Sequence, residues 1–281
     1  MAAGDVIVIS ENAGGRKGVY FDGADDYTLV DAHAVERVAA GDTTGTYTAW
    51  IYLDEGTPST ENCILSAGDN SSTDEGLRLL VDTAGRLYVL LRHGGASQFS
   101  VRETTGSMVS KVWTHVAVVQ NGTQPELYVN GSKVATTNAT ATDLTMWYDG
   151  LTLCDKFAIG VMETNSTHVN DFKGAIGQVK YWASALTPEQ IKTEYTETII
   201  PTAYGSYGTP TLNITMDQDG ITDAGTGADN GTLTGHAFYG GWVSDWSYHL
   251  QFDGHLTGHA AEDVETFIDG SKYVTVIRRG E

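Results

Sequence analysis

The chain has 281 residues, enough for one large all-β domain or one domain with a small appendage. Hydrophobic residues make up 41% and glycines number 33 against 5 prolines, a composition of many strands joined by tight turns around a sizeable core. The formal charge of −20, from 36 acidic and 16 basic residues, repels phosphate backbones and anionic lipid, which argues against nucleic-acid partners and membrane insertion.

Residues 1–17 read as an N-terminal arm carrying one short strand, Val6-Ile7-Val8-Ile9, far too short to span a bilayer. Met1 to Asp5 has no basic region and no long apolar stretch, so no secretory signal is expected. From 18 to 200 the chain reads as a continuous series of strands with turn signals between them. Residues 18–22 end in a turn at Gly23, and 25–30 form the next strand. Residues 46–53 alternate well enough to bury one face, and strands at 62–66, 77–81 and 86–92 follow. The strongest local signal is a hairpin. Residues 126–129 lead into Asn130-Gly131 and residues 133–135 return, because Asn-Gly supplies the positive φ angles of a type I′ turn. One helix is expected near 187–195, with Thr187 as N-cap, Pro188 at the first helical position and Gln190 completing a capping box.

After Pro201 the texture changes. Residues 201–211 look like a linker, and 212–281 like a smaller β-rich C-terminal module. The two cysteines, Cys63 and Cys154, lack a CxxC partner, which excludes a thiolate zinc site and dithiol redox chemistry. They read as buried free thiols, a disulfide remaining open if their strands are neighbours.

Several segments in this order carry a family resemblance: Tyr20-Phe21-Asp22-Gly23-Ala24-Asp25-Asp26-Tyr27, then Thr48-Ala49-Trp50-Ile51, Trp113-Thr114-His115-Val116, Leu127-Tyr128-Val129-Asn130-Gly131, and Phe172 to Trp182 with the helix after it. Residues 18–197 resemble the laminin-G-like, concanavalin A-like jelly-roll family. The resemblance implies an all-β jelly-roll sandwich with Trp50, Trp113 and Trp182 in its core. The tail echoes the opening of such a domain at Leu250-Gln251-Phe252-Asp253-Gly254, then departs from it, which implies a partial second copy packed in cis or on a neighbouring subunit.

Catalysis has no visible home. The Glu-x-Asp-x-x-Glu strand of family-16 glycosidases is absent, and Glu262 and Glu265 would point to opposite faces of an extended segment. His236, His249, His255 and His259 have spacings that permit a metal site without diagnosing one, and ordinary polar surface is the simpler reading. Calcium carries more weight, because the resemblance implies rim loops rich in Asp and Asn. Such loops are present at Asp22, Asp25 and Asp26, at Asp69, Asn70 and Asp74 beside Glu75, and at Asn170 and Asp171. Asp and Asn also simply favour turns. For sugar binding, which uses aromatic platforms with polar rim groups, Trp147 and Tyr148 are candidates alongside Arg92, His93, His168 and Asn170. The alternative is that Trp147 covers an edge of the core.

Two functions fit. The first is a non-enzymatic structural or adhesive surface protein, a virion surface, decoration or tail component, with other copies of itself or other virion proteins as partners and host glycans as a further contact. The second is a stand-alone carbohydrate-binding module, with calcium as a candidate cofactor.

Overall fold

The computed structural model describes residues 18–196, 207–217, 220–227, 229–234, 238–240, 264–269 and 272–277. The arm at 1–17, most of the 201–211 linker, and His236, His249, His255, His259, Glu262 and the 250–254 echo lie outside the described residues.

Strand β1 (Gly18–Asp22) runs into the acidic turn and then a short β2 (Tyr27–Leu29). Here the chain departs from the strands-only expectation, because α1 (Asp31–Ala40) follows at once. Asp31 in the first turn and Arg37 in the last complement the helix dipole, and His33 and Ala34 face the core. Gly41, at φ +64°, ends the helix with its N–H shared between the Arg37 and Val38 carbonyls.

Then come β3 (Gly45–Leu53), β4 (Asn62–Gly68), β5 (Gly76–Val81), β6 (Leu87–His93), β7 (Ala96–Glu103) and β8 (Trp113–Gln120). The hairpin at Asn130-Gly131 forms as the dipeptide predicts. Both residues have positive φ, 49° and 73°, and β9 (Pro125–Val129) pairs back on the short β10 (Ser132–Lys133). The return stops at Lys133, where residues 134 and 135 had been expected to continue it. The chain crosses to the other sheet as β11 (Thr136–Ala141).

After β12 (Lys156–Ile159), a small hairpin of β13 (Met162–Thr164) and β14 (Thr167–Val169) precedes the long β15 (Lys173–Trp182). Helix α2 (Pro188–Thr196) starts on a reciprocal capping box. Thr187 N donates to Gln190 Oε1 at 2.7 Å and Gln190 N donates to Thr187 Oγ1 at 3.3 Å.

The strands form two antiparallel sheets, the sandwich of a concanavalin A-like jelly roll. The first runs β10-β9-β8-β3-β15-β1-β19, where β19 is Phe238–Gly240, and β16 (Leu212–Asp217) joins the far half of β15 and carries β17 (Gly220–Asp223). The second runs β11-β7-β6-β5-β4-β12-β2-β18, where β18 is Thr232–Thr234. Strands β20 (Val264–Asp269) and β21 (Lys272–Ile277) make a separate hairpin. Among the described residues the tail strands β16 to β19 are thus part of the two sheets.

Period-2 alternation decides what fills the interior. Tyr47, Ala49, Ile51 and Leu53 of β3 meet Leu77, Leu79, Val89, Leu91 and Phe157 of the second sheet in one core, and Tyr47 stacks on Phe157 with ring centroids 5.7 Å apart. The three matched tryptophans are buried, but on the outer face of the first sheet. Trp50 and Trp113 cluster with Tyr20, Tyr52 and Ala175 under Tyr195 of α2, and Trp182 packs on Tyr128 and Ile191. Helix α2 covers that face, so both sides of β3 are dry. Cys63 and Cys154 are free and buried, and burial pushes both thiols far above their ordinary pKa.

Candidate functional site

At one rim of the sandwich the ends of β1 and β15 lie side by side, with Asp22 opposite Lys173 in register. The turn after β1 is tied locally. Ala24 N donates to Asp22 Oδ1, and Asp22 N donates to Asp26 Oδ2, each at 2.9 Å, while Gly23 takes φ +83°. These bonds bring Asp22, Asp25 and Asp26 together with one carboxylate oxygen of each within 4.8 Å of the others. Asp25 is exposed, Asp22 half-buried and Asp26 buried.

Asp171 approaches the same spot from the start of β15. Burial, added to by the charges of Asp22 and Asp25, holds its carboxyl above the usual range against the opposing pull of His168. A polar cavity of about 200 Å³ opens beside these acids, bounded by Asp22, Ser59, Thr60, Asn62, Asp171 and Lys173. Asn62 fixes its floor, accepting from Lys173 N at 2.6 Å and donating to Thr60 O at 3.1 Å. The Lys173 ammonium stays loose, 3.8 Å from the exposed Glu55.

An aromatic element stands next to the acids. Tyr27, half-buried, and His168, exposed on β14, lie with ring centroids 4.1 Å apart. His168 Nε2 is 2.5 Å from the buried Glu163 carboxylate, which fixes the ring. Asn170, at φ +59°, holds the hairpin down, donating to Glu61 Oε2 at 3.1 Å and accepting from Cys63 N at 2.9 Å. The structure therefore gathers Asp22, Asp25, Asp26, Asp171, His168 and Asn170 at one rim.

The other candidates fall elsewhere. Asp69 is 2% exposed, and its two oxygens accept from Ser71 N, Ser71 Oγ and Ser72 Oγ at 2.7–2.8 Å. Against the upward effect of its partial burial, those bonds hold the carboxyl below the usual range. Asn70 donates its N–H to Asp155 and accepts from Ser166, while Asp74 bonds to Ser72 and Gly95 through its backbone. Among the described residues no cation-ligand trio includes Asp69, Asp74 or Asp171. Arg92 donates to the Thr73 and Gly95 carbonyls, and His93 Nδ1 lies 3.0 Å from Glu75, whose carboxylate takes the N–H groups of Thr152 and Leu153.

Trp147 and Tyr148 require a correction. Both are 0% exposed and cannot offer a platform to a sugar. Tyr148 OH meets Tyr47 OH at 2.5 Å, Tyr47 OH meets His33 Nε2 at 2.8 Å, and Trp147 Nε1 donates to Tyr181 OH at 3.2 Å. Tyr181 OH donates in turn to Asp42. The polar-looking stretch 142–150 dips into the core because this network satisfies its hydroxyls and indole. His115 is buried against Trp50, with its backbone N–H on Asn130 Oδ1 at 3.0 Å.

A profile described as the concanavalin A-like lectin/glucanases superfamily, of the laminin-G type, matches residues 21–192. The chain belongs to that superfamily. The match covers one copy of the domain, and a partial second copy in the tail is not shown. No curated protein matches the chain.

Among solved structures, the CBM40 module of the Ruminococcus gnavus IT-sialidase aligns with a TM-score of 0.50 and 16% identity, covering 66% of this chain and 97% of the module. The NanB sialidase of Streptococcus pneumoniae aligns with a TM-score of 0.53 and 13% identity over 83% of this chain and 40% of the sialidase. A native heptameric SAP-like pentraxin of Limulus polyphemus aligns with a TM-score of 0.50 and 14% identity, covering 82% of this chain and 96% of the pentraxin. At these identities the likeness is one of fold.

Within this superfamily sandwich, the residues that sequence reasoning passed over at the rim are Tyr27, Asn62 and Lys173. Tyr27 follows the acidic turn directly and was readable as a rim aromatic. Asn62 and Lys173 are brought there only by strand register.

Proposed function

We propose that this chain is a non-catalytic glycan-binding module that takes its ligand at the rim formed by the acidic turn, the adjoining cavity and the Tyr27–His168 ring pair. The observation that carries the reading is the combination of an open polar cavity with a partly exposed aromatic pair beside it. A sugar offers an apolar ring face and a fringe of hydroxyls, which calls for one flat apolar surface and several fixed acceptors. Asp22, Asp25 and Asp171 supply acceptors, Lys173 and Asn62 supply donors, and Tyr27 supplies the surface. The superfamily's lectin character and the CBM40 neighbour support the same class.

An extracellular setting belongs to this reading. No described helix is long and apolar enough to cross a membrane. The virion component expected from sequence gains no support from the neighbours, which are a sialidase module, a sialidase and a pentraxin.

The test is a glycan array probed with the whole chain, once with calcium and once with EDTA, repeated with Tyr27→Ala. Binding to a defined set of glycans, lost in Tyr27→Ala, with no release of reducing sugar, is the expected result. Loss in EDTA would mean that Asp22, Asp25 and Asp26 act through a cation, and retention that they accept hydroxyls directly. Turnover of a bound glycan would overturn the non-catalytic reading, and no binding by folded protein would overturn the proposal.

A further inference from the structure

The outer face of the second sheet holds a charge with no counterpart among the described residues. Alternation turns Leu77, Leu79 and Val81 of β5 into the core and leaves Arg78 and Leu80 on the opposite face. The same rule puts Tyr88, Leu90 and Arg92 of β6 beside them, and Ser100 and Arg102 of β7 beyond. Arg78 lies between Ser66 and Leu90 in register, and it is 4% exposed. Its Nε is buried without a hydrogen-bond partner, and among the described residues the guanidinium makes no hydrogen bond and no ion pair.

The carboxylates nearby are engaged elsewhere. Asp82 holds Arg86 and Arg102, Glu163 holds His168, and Glu61 accepts from Asn170. Burial, with the charge of Arg92 beside it, draws the Arg78 pKa below the usual guanidinium value, and only the weak acids Cys63, Cys154 and Tyr88 oppose this. A desolvated guanidinium without a partner is costly, and buried charges in proteins are normally paired.

The guanidinium lies over Gly76, the neighbour two positions back on the same face, where a Cβ would sit 3.2 Å from Arg78 Nη2 and 2.9 Å from Ala67 O. Arg92 stands directly across from Gly76, half-exposed. Half-buried Leu90 and Met162 form an apolar edge alongside, while buried Tyr88 lies under the Arg102 guanidinium, 4.8 Å from its ring centroid.

We propose that this face is a second ligand site, in which Arg78 and Arg92 receive the carboxylate of an acidic sugar while Leu90 and Met162 carry its ring. A guanidinium offers a planar fork matched to a carboxylate, and the bound oxyanion supplies the counter-charge that none of the described residues does. The site is separate from the rim. It shares with the rim proposal only the premise that the ligand is a sugar.

The experiment reads the shift of the thermal midpoint of the whole chain in sodium glucuronate, with equal concentrations of glucose plus sodium chloride and of sodium acetate as references. A shift in glucuronate that exceeds both references is expected in the wild type and in Asp25→Asn, and none in Arg78→Met. Arg78→Met is expected to fold, and without ligand to melt at or above the wild-type midpoint, because it removes an unpaired buried charge.

Equal shifts in acetate would overturn the assignment to a sugar acid. A glucuronate shift that survives in Arg78→Met, or that Asp25→Asn abolishes, would overturn the site. Failure of the glycan array at the rim leaves this readout intact, so the two proposals fall separately.

Discussion

The outer faces of the two sheets each bury a cation, and they treat it differently. On the first sheet Lys180 is 5% exposed at its side chain, and its ammonium lies 2.5 Å from Glu194, itself 1% exposed. Glu194 comes from α2 and also accepts from Tyr207 at 2.7 Å, so the chain itself supplies the buried ammonium with its counter-ion. On the second sheet Arg78 is as deeply placed and meets no carboxylate among the described residues. A cation buried for architecture brings its own counter-ion. The contrast teaches that the first face is finished and the second awaits something.

The sharpest break of this comparison is Glu194→Gln. Leaving Lys180 buried beside a neutral amide should cost about 3–5 kcal/mol in urea unfolding, whereas Arg78→Met should cost nothing or add about 1–3 kcal/mol. If both substitutions destabilise alike, the two cations are equivalent and the contrast fails.

A second measurement separates the faces from the core between them. His33 is wholly buried and its pKa lies well below the ordinary value, chiefly through burial and further through Arg37. The unfolded chain takes up a proton near pH 6.5 while the folded chain does not, so stability is lost as pH falls through and below about 6.5, by up to roughly 1.4 kcal/mol per pH unit. Replacing His33 by Gln should flatten that slope.

Smaller still is Thr187→Ala, which removes one half of the capping box of the helix that finishes the first face. It should cost about 1 kcal/mol and leave the glucuronate shift on the second face unchanged. Least of all, Asp25→Asn at the exposed rim should change stability by no more than about 0.5 kcal/mol while weakening glycan capture on the array.

How much of this was legible follows from the range of each interaction. Asn130-Gly131 and Thr187-Pro188-Glu189-Gln190 announce their structures because the bonds that make them span a few residues. The jelly roll was readable from the order of such segments. Helix α1 was missed although Asp31, Arg37 and Gly41 mark its two ends. The apolar run before it invited a strand, and only ten residues carry the helical pattern.

At the rim, the acidic turn was visible because Asp22, Asp25 and Asp26 are neighbours in sequence. Lys173 and Asn62 were not, since they arrive by register from 111 residues apart. Trp147 and Tyr148 misled for the same reason. Their polar flanks are local, while the hydroxyls of Tyr47 and Tyr181 that make burial affordable lie 101 and 34 residues away. The isolation of Arg78 among the described residues is more distant still from sequence reading, because it depends on where carboxylates far off in sequence are drawn away to.

The last consequence concerns β18 and β19. They lie a few residues apart in the tail, yet one pairs with β2 at the end of the second sheet and the other with β1 in the first. The opposite ends of the sheets are guarded by composition: β10 is Ser132 and Lys133, and β11 is almost wholly Thr, Asn and Ala. The tail therefore works as a clasp that silences two sticky borders at once. A fragment cut where the family match stops, at residue 192, would lose the clasp together with Leu212 and Ile214 of the core, and its bare β1 and β2 would be free to recruit strands from other molecules.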